Sequence, residues 1–142
     1  MAHFSEYSLQ RLRTAQEPLR RVMWRAILLT DFRIISGARD VQEQLRLIRI
    51  GASGLKDPTR SKHVVGDGIR DLSAALDVTP WHPEEPHIRW DDTDSYYQMA
   101  AFILAAAHLE GVPLRWGGLW QKPFDPGHFE LIDEGRAGVS LS

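Results

Sequence analysis

Phe124-Asp125-Pro126-Gly127-His128-Phe129-Glu130-Leu131 is the stretch on which the reading of this chain turns. Pro126-Gly127 is a turn signal, and His128 opens a short apolar run that reads as a strand. Asp125, three residues before His128, therefore shares one tight turn with it at the mouth of that strand. Far upstream, Ser61-Lys62-His63 and Ala75-Leu76-Asp77-Val78 supply a second histidine and a second carboxylate, again with strand-like flanks. Two histidines, one aspartate and one spare acid are the parts of a catalytic metal site. Three side chains hold the ion, an open position takes water, and the spare acid moves that water's proton.

Working outward, the flanking segments set the fold class. Phe32-Arg33-Ile34-Ile35-Ser36 is rich in β-branched residues and reads as a strand, as do Ala74–Val78, Leu114–Trp116 and His128–Ile132. Ser5 to Thr30 reads as helix, with Pro18 in a first-turn position and Leu19, Val22, Met23, Ala26 and Ile27 on one face. Asp40 caps a second helix, with Val41, Leu45 and Ile48 on its buried side and Gly51 as its stop. A third starts at Asp94 or Ser95, carries Met99, Ala100, Ile103, Leu104 and Ala107 as its apolar stripe, and ends at Gly111. Gly51 to Leu72 is polar and reads as a long loop, of a length that is usually either functional or disordered. Trp81 to Asp92, with Pro83 and Pro86, is irregular, and Gly135 to Ser142 reads as a frayed tail. Helices and strands do not alternate strictly, so the class is α+β with a small, mainly antiparallel sheet.

Composition narrows the chemistry. At 142 residues, with 43% hydrophobic and 25% charged, the chain is expected to form one domain over 1–142 with a proper core. With 0 cysteines it has no disulfide, no thiolate metal site and no cysteine nucleophile, so any metal is held by nitrogen and oxygen. A net charge of −2 argues against nucleic acid as a partner. No apolar run approaches the ~20 residues that span a bilayer. Met1-Ala2-His3-Phe4-Ser5-Glu6 lacks the basic-then-apolar pattern of a signal peptide, so synthesis in the cytoplasm is expected.

Among the 6 histidines, His63 and His128 stand out because each borders a strand-like run beside a glycine-rich turn. His3 lies near the terminus, His108 at a helix C-terminal end, and His82 and His87 in the proline-rich stretch with Glu84 and Glu85, which reads as solvated loop. Asp77 interrupts an otherwise apolar strand. A buried carboxylate needs a partner, and either a metal or an arginine would serve.

The chain resembles, nearly end to end, the zinc L-alanyl-D-glutamate peptidases of phage endolysins. These belong to the wider group of D-Ala-D-Ala carboxypeptidases with a hedgehog-like fold. The resemblance is carried by Ser36-Gly37-Ala38-Arg39 with Gln44 and Gly51-Ala52-Ser53, by Ser61-Lys62-His63, by Leu114-Arg115-Trp116-Gly117-Gly118, and by Asp125-Pro126-Gly127-His128-Phe129-Glu130-Leu131. It implies Zn²⁺ on His63, Asp77 and His128, with Asp125 as general base. It further implies that Arg39 stabilises an oxyanion or binds a substrate carboxylate, and that Ser61 orients a ligand by hydrogen bond. Trp116 is expected in the core. The family's usual aspartate position, seven residues after the first histidine, holds Arg70 here. Asp77 is preferred over Asp71 and Asp67 because Ala75-Leu76-Asp77-Val78 with Pro80-Trp81 keeps the family's flanks, which makes 64–72 an insertion. Leu119 stands where the family carries an acid after the double glycine. The implied substrate is the stem peptide of bacterial peptidoglycan, cut by a monomer after holin-type release to the periplasm, without a separate wall-binding domain. A D-Ala-D-Ala carboxypeptidase and a non-catalytic zinc-stabilised wall-binding module are the alternatives.

Overall fold

The structure, a computed structural model, describes residues 2–53, 55, 57–121 and 124–133. Its elements run α1 (Glu6–Leu12), α2 (Glu17–Ala26), β1 (Phe32–Ser36), α3 (Val41–Arg49), β2 (Ala75–Pro80), α4 (Thr93–Glu110), β3 (Leu114–Trp116) and β4 (His128–Leu131), with short 3-10 turns at Pro58–Arg60 and Gly117–Leu119. The strands form one antiparallel sheet in the order β1-β2-β4-β3. This is the α+β class expected. The expected tail, Gly135 to Ser142, lies outside the described residues.

The single helix expected over Ser5–Thr30 is two. Ser5 caps α1 by accepting from the Ser8 N–H at 3.1 Å. A continuous helix would need Pro18 to donate to the Thr14 carbonyl, and proline has no N–H. The Ser73 N–H takes that carbonyl instead, at 2.7 Å, and the Gln16 N–H donates to the Ser73 carbonyl at 2.8 Å. The chain then restarts with Pro18 in the first turn of α2. Two other expectations shift. Asp92, not Asp94 or Ser95, caps α4, its Oδ1 accepting from the Ser95 N–H at 3.2 Å. The buried residue of α3 is Gln44 rather than Val41, Leu45 or Ile48, which are half-buried. Its amide is drawn inward by partners: Oε1 accepts from Arg39 at 3.2 Å, and Nε2 donates to Ser53 Oγ at 3.0 Å.

What positions the site is the two-sidedness of the sheet. Phe129 and Leu131 of β4 join Leu76 and Val78 of β2, Leu19, Val22 and Met23 of α2 and Met99 and Ile103 of α4 in one core. Burying a phenylalanine of this kind stabilises by roughly 1.5–3 kcal/mol. Because strand side chains alternate, His128 and Glu130 then point to the opposite face. In the β2–β4 ladder Asp77 pairs directly with His128. On the other side of β2 the register shifts between Ile34 and Ser36, a bulge that sets Ser36 opposite Asp77.

Candidate metal centre

His63, Asp77 and His128 each offer one ligand atom, and these atoms lie within 4.8 Å of one another, a group that can hold a metal ion. Asp77 and His128 arrive as cross-strand neighbours. His63 arrives from the loop, whose backbone runs alongside Arg39: the Arg39 N–H donates to the His63 carbonyl at 2.8 Å, and the Val65 N–H returns to the Arg39 carbonyl at 2.8 Å.

The outward nitrogen of each imidazole is committed. His63 Nδ1 lies 2.8 Å from the Gly37 carbonyl, which only accepts, so Nδ1 carries the hydrogen. His128 Nε2 lies 2.8 Å from Glu130 Oε1 and donates to that carboxylate. The inward atoms, His63 Nε2 and His128 Nδ1, face each other at 3.4 Å. Asp77 spans them, Oδ1 at 3.0 Å from His128 and Oδ2 at 3.3 Å from His63. Two lone pairs at that separation, with a carboxylate between, call for a cation or a proton. The donor set therefore fits a divalent metal held by nitrogen and oxygen.

The electrostatics agree. Burial works against ionising Asp77, but the two histidines outweigh it and hold its carboxyl well below the usual range. Burial likewise disfavours charge on His128, yet its bonds to Asp77 and Glu130 push its pKa up to about 9. Both shifts favour a positive charge between the two rings, the position that the three side chains surround. Glu130, though buried, is kept ionised by His128, Lys62 and Arg115. Carboxylate, histidine and ligand position form the arrangement by which an outer carboxylate fixes a metal-binding imidazole.

Asp125 stands at the edge of this group, Oδ2 4.0 Å from His128 Nδ1. Burial, then the negative charge of Asp77, raises its pKa above the usual carboxylate value. Its backbone N–H donates to the Gly117 carbonyl at 3.1 Å. A Cβ on Gly117 would lie 2.2 Å from the Asp125 carbonyl oxygen and 3.1 Å from the His128 Cβ, so only glycine allows this approach. Trp116, nearly buried, donates from Nε1 to the Pro126 carbonyl at 2.8 Å and ties the same turn to the core.

The remaining candidates sort by position. Arg39 reaches the centre, its Nη2 3.0 Å from Asp77 Oδ2 and 2.9 Å from Ser36 Oγ. Asp77 thus has the arginine and the two histidines as partners at once. Ser61 is buried and accepts from the His63 N–H at 3.3 Å, so it holds the His63 backbone rather than its ring. Asp67 and Asp71 are exposed and outside the group. Residues 64–72 make a tight excursion with positive φ at Gly66, Asp67 and Gly68. Arg70 closes its base by donating to the Ser61 carbonyl at 2.9 Å and the Val64 carbonyl at 2.7 Å. His3 and His108 are exposed, and His87 stacks on Trp81 at 4.5 Å. Two participants were missed from sequence. Glu130 was signalled by its spacing, since residues two apart on a strand share a face; the Gly37 carbonyl, a backbone atom, left no signal.

The whole arrangement can be set beside known proteins. The family model described as phage L-alanyl-D-glutamate peptidase matches residues 1–134. The chain belongs to this family. Within reach of it, an L-alanyl-D-glutamate peptidase of Escherichia phage T5 is 31% identical over 142 residues, covering 91% of this chain and 97% of that protein. The crystal structure of the L-Ala D-Glu endopeptidase ChiX of Serratia marcescens superposes with a TM-score of 0.74 at 28% identity, over 92% of this chain and 90% of that one. The LD-carboxypeptidase LdcB matches at a TM-score of 0.53 with 13% identity, over 91% of this chain and 64% of that one, a likeness of fold alone.

Proposed function

We propose that this family member is a zinc peptidase that hydrolyses the L-alanyl-D-glutamate bond in the stem peptides of bacterial peptidoglycan. The observation that carries the reading is the His63, Asp77 and His128 group with a fourth, raised-pKa carboxylate, Asp125, 4.0 Å from His128 Nδ1. A site that only stabilises a fold needs no such acid, which counts against a non-catalytic wall-binding module.

His63 Nε2, His128 Nδ1 and a carboxylate oxygen of Asp77 would hold the ion. Zn²⁺ bound there supplies Lewis acidity, polarising a carbonyl and lowering the pKa of water toward roughly 7. Asp125 accepts the proton of the attacking water as its oxygen adds to the alanyl carbonyl carbon. The C–N bond then breaks, and Asp125 returns that proton to the leaving glutamyl amine. A base is most useful when its pKa approaches the working pH, and burial with the neighbouring Asp77 moves Asp125 in that direction. Arg39 holds Asp77 through Nη2 and adds positive charge beside the centre, where an oxyanion develops. Glu130 keeps His128 Nδ1 facing inward, and Ser61 fixes the His63 backbone.

All of these groups come from one chain, which supports action as a monomer. They are drawn from positions 39 to 130, which supports a single domain over 1–142. No described helix is long and apolar enough to cross a membrane. Membership of the phage family is what supports release to the wall through a holin-type pore. Mass spectrometry of muropeptides after digestion of purified peptidoglycan tests the reading. New fragments beginning with D-glutamate are expected; release of D-alanine alone, or intact stems, would contradict it.

A further inference from the structure

A cavity of about 360 Å³ opens between the end of α1 and the segment leading from β1 to α3. Gln10, Arg11 and Thr14 form one wall, and Ser36, Gly37 and Arg39 the other. The second wall is the outer support of the metal centre: the Gly37 carbonyl binds His63, and Arg39 binds Asp77. The cavity therefore adjoins the centre through the residues that hold two of its side chains, Gly37 on His63 and Arg39 on Asp77.

The charges in the cavity differ in their commitments. Arg39 is engaged by Asp77, Ser36 and Gln44. Glu43, on the rim, is neutralised by Arg46 at 2.8 Å. Arg11 is half-buried, lies 3.2 Å over the Tyr7 ring, and donates only to the Tyr7 carbonyl, at 3.3 Å. Among the described residues it has no ion-pair partner. Arg11 is thus the arginine of the cavity lining that has no carboxylate partner, and its guanidinium rests on Tyr7 beside the cavity.

The proposed substrate supplies the complement. A glutamyl residue joined through its amine has two carboxyl groups. The continuing chain uses one, and the other is free and ionised at neutral pH. That carboxylate sits on the residue directly after the scissile bond. We propose that the cavity is a carboxylate-recognition subsite in which Arg11 binds the free carboxylate of this glutamyl residue. The assignment rests on the peptidase reading above and adds to it a determinant of specificity.

The test compares two soluble stem peptides that differ only in that group, carboxylate or carboxamide. A hydrogen bond to a charged group is worth about 1.5–3 kcal/mol, so the zinc-loaded wild type should prefer the acid by roughly 10–100-fold in kcat/KM. Arg11→Gln should bring the ratio near one, mainly by raising KM for the acid, with zinc content and melting temperature unchanged. Arg11→Lys should keep part of the preference. An undiminished preference in Arg11→Gln, or none in the wild type, overturns the subsite while leaving the peptidase reading intact. If the wild type cleaves neither peptide, the peptidase reading fails. Calorimetric binding of the same peptides then decides: a preference for the acid that Arg11→Gln abolishes supports the subsite, and equal binding overturns it.

Discussion

The β2–β4 ladder and the 61–72 segment build the two halves of the centre by different means. In the ladder, Asp77 and His128 face each other because backbone hydrogen bonds fix the register, and Glu130 follows from strand alternation. The segment has no ladder of its own. His63 is held by scattered bonds: Gly37 on its ring, Ser61 on its backbone, Arg39 alongside, and Arg70 closing the excursion behind it. Side chains on a strand pair are placed by the fold of the whole sheet. Those on a loop are placed one contact at a time, and a loop can lengthen without moving its ligand.

Breaking either half at the ligand itself should have the largest effect. His63→Ala and His128→Ala should both abolish stoichiometric zinc binding and activity, because each removes one of the three proposed protein ligands. Elemental analysis with turnover on peptidoglycan checks this. Retention of full zinc by either variant would mean that its half is dispensable. Glu130→Gln tests how the ladder half is held. It removes the carboxylate that fixes the His128 ring, and zinc affinity should fall roughly 10–100-fold, read by competition with a chelating dye.

The pH behaviour of metal-free protein sharpens the same comparison, because its large shifts belong to the ladder. The pKa of His128 rises from 6.5 to about 9 on folding. Its contribution to stability is complete below 6.5 and is lost as pH rises through about 9. Asp77 works in the opposite window: its lowered pKa gives stability above its ordinary value near 3.8, lost as acid protonates it. Chelator-treated protein should therefore melt highest between these limits, and its melting temperature should fall from pH 6.5 toward 9. Zinc affinity should rise over that range as the metal displaces the His128 proton. The smallest effect is expected at Asp71, exposed on the excursion: Asp71→Ala should leave zinc affinity unchanged, whereas Asp77→Ala should remove it.

This division also governs what the sequence reveals. The strands around Asp77 and His128 were legible because apolar residues flank them, and Asp77 was conspicuous as a charge in such a run. The α+β class followed from the same segments. The break between α1 and α2 was signalled by Pro18, which cannot donate to the Thr14 carbonyl; what was not legible is that Ser73, far along the chain, takes that carbonyl instead. Gln44 was missed as the buried face of α3 because its partners, Arg39 and Ser53, come from the flanking loops. The segmental contacts that hold His63 use backbone carbonyls, which any sequence supplies.

Asp77 and Asp125 carry the argument for catalysis. They are the same residue type beside the same histidine, one held ionised by its partners and the other pushed upward by burial and by Asp77. The most direct test is turnover of Asp125→Asn on purified peptidoglycan, measured together with its zinc content. The variant should keep one zinc per chain and lose turnover by about 10²–10⁴-fold, the usual contribution of general acid–base catalysis. Full zinc with wild-type turnover would remove Asp125 from the chemistry and contradict the account.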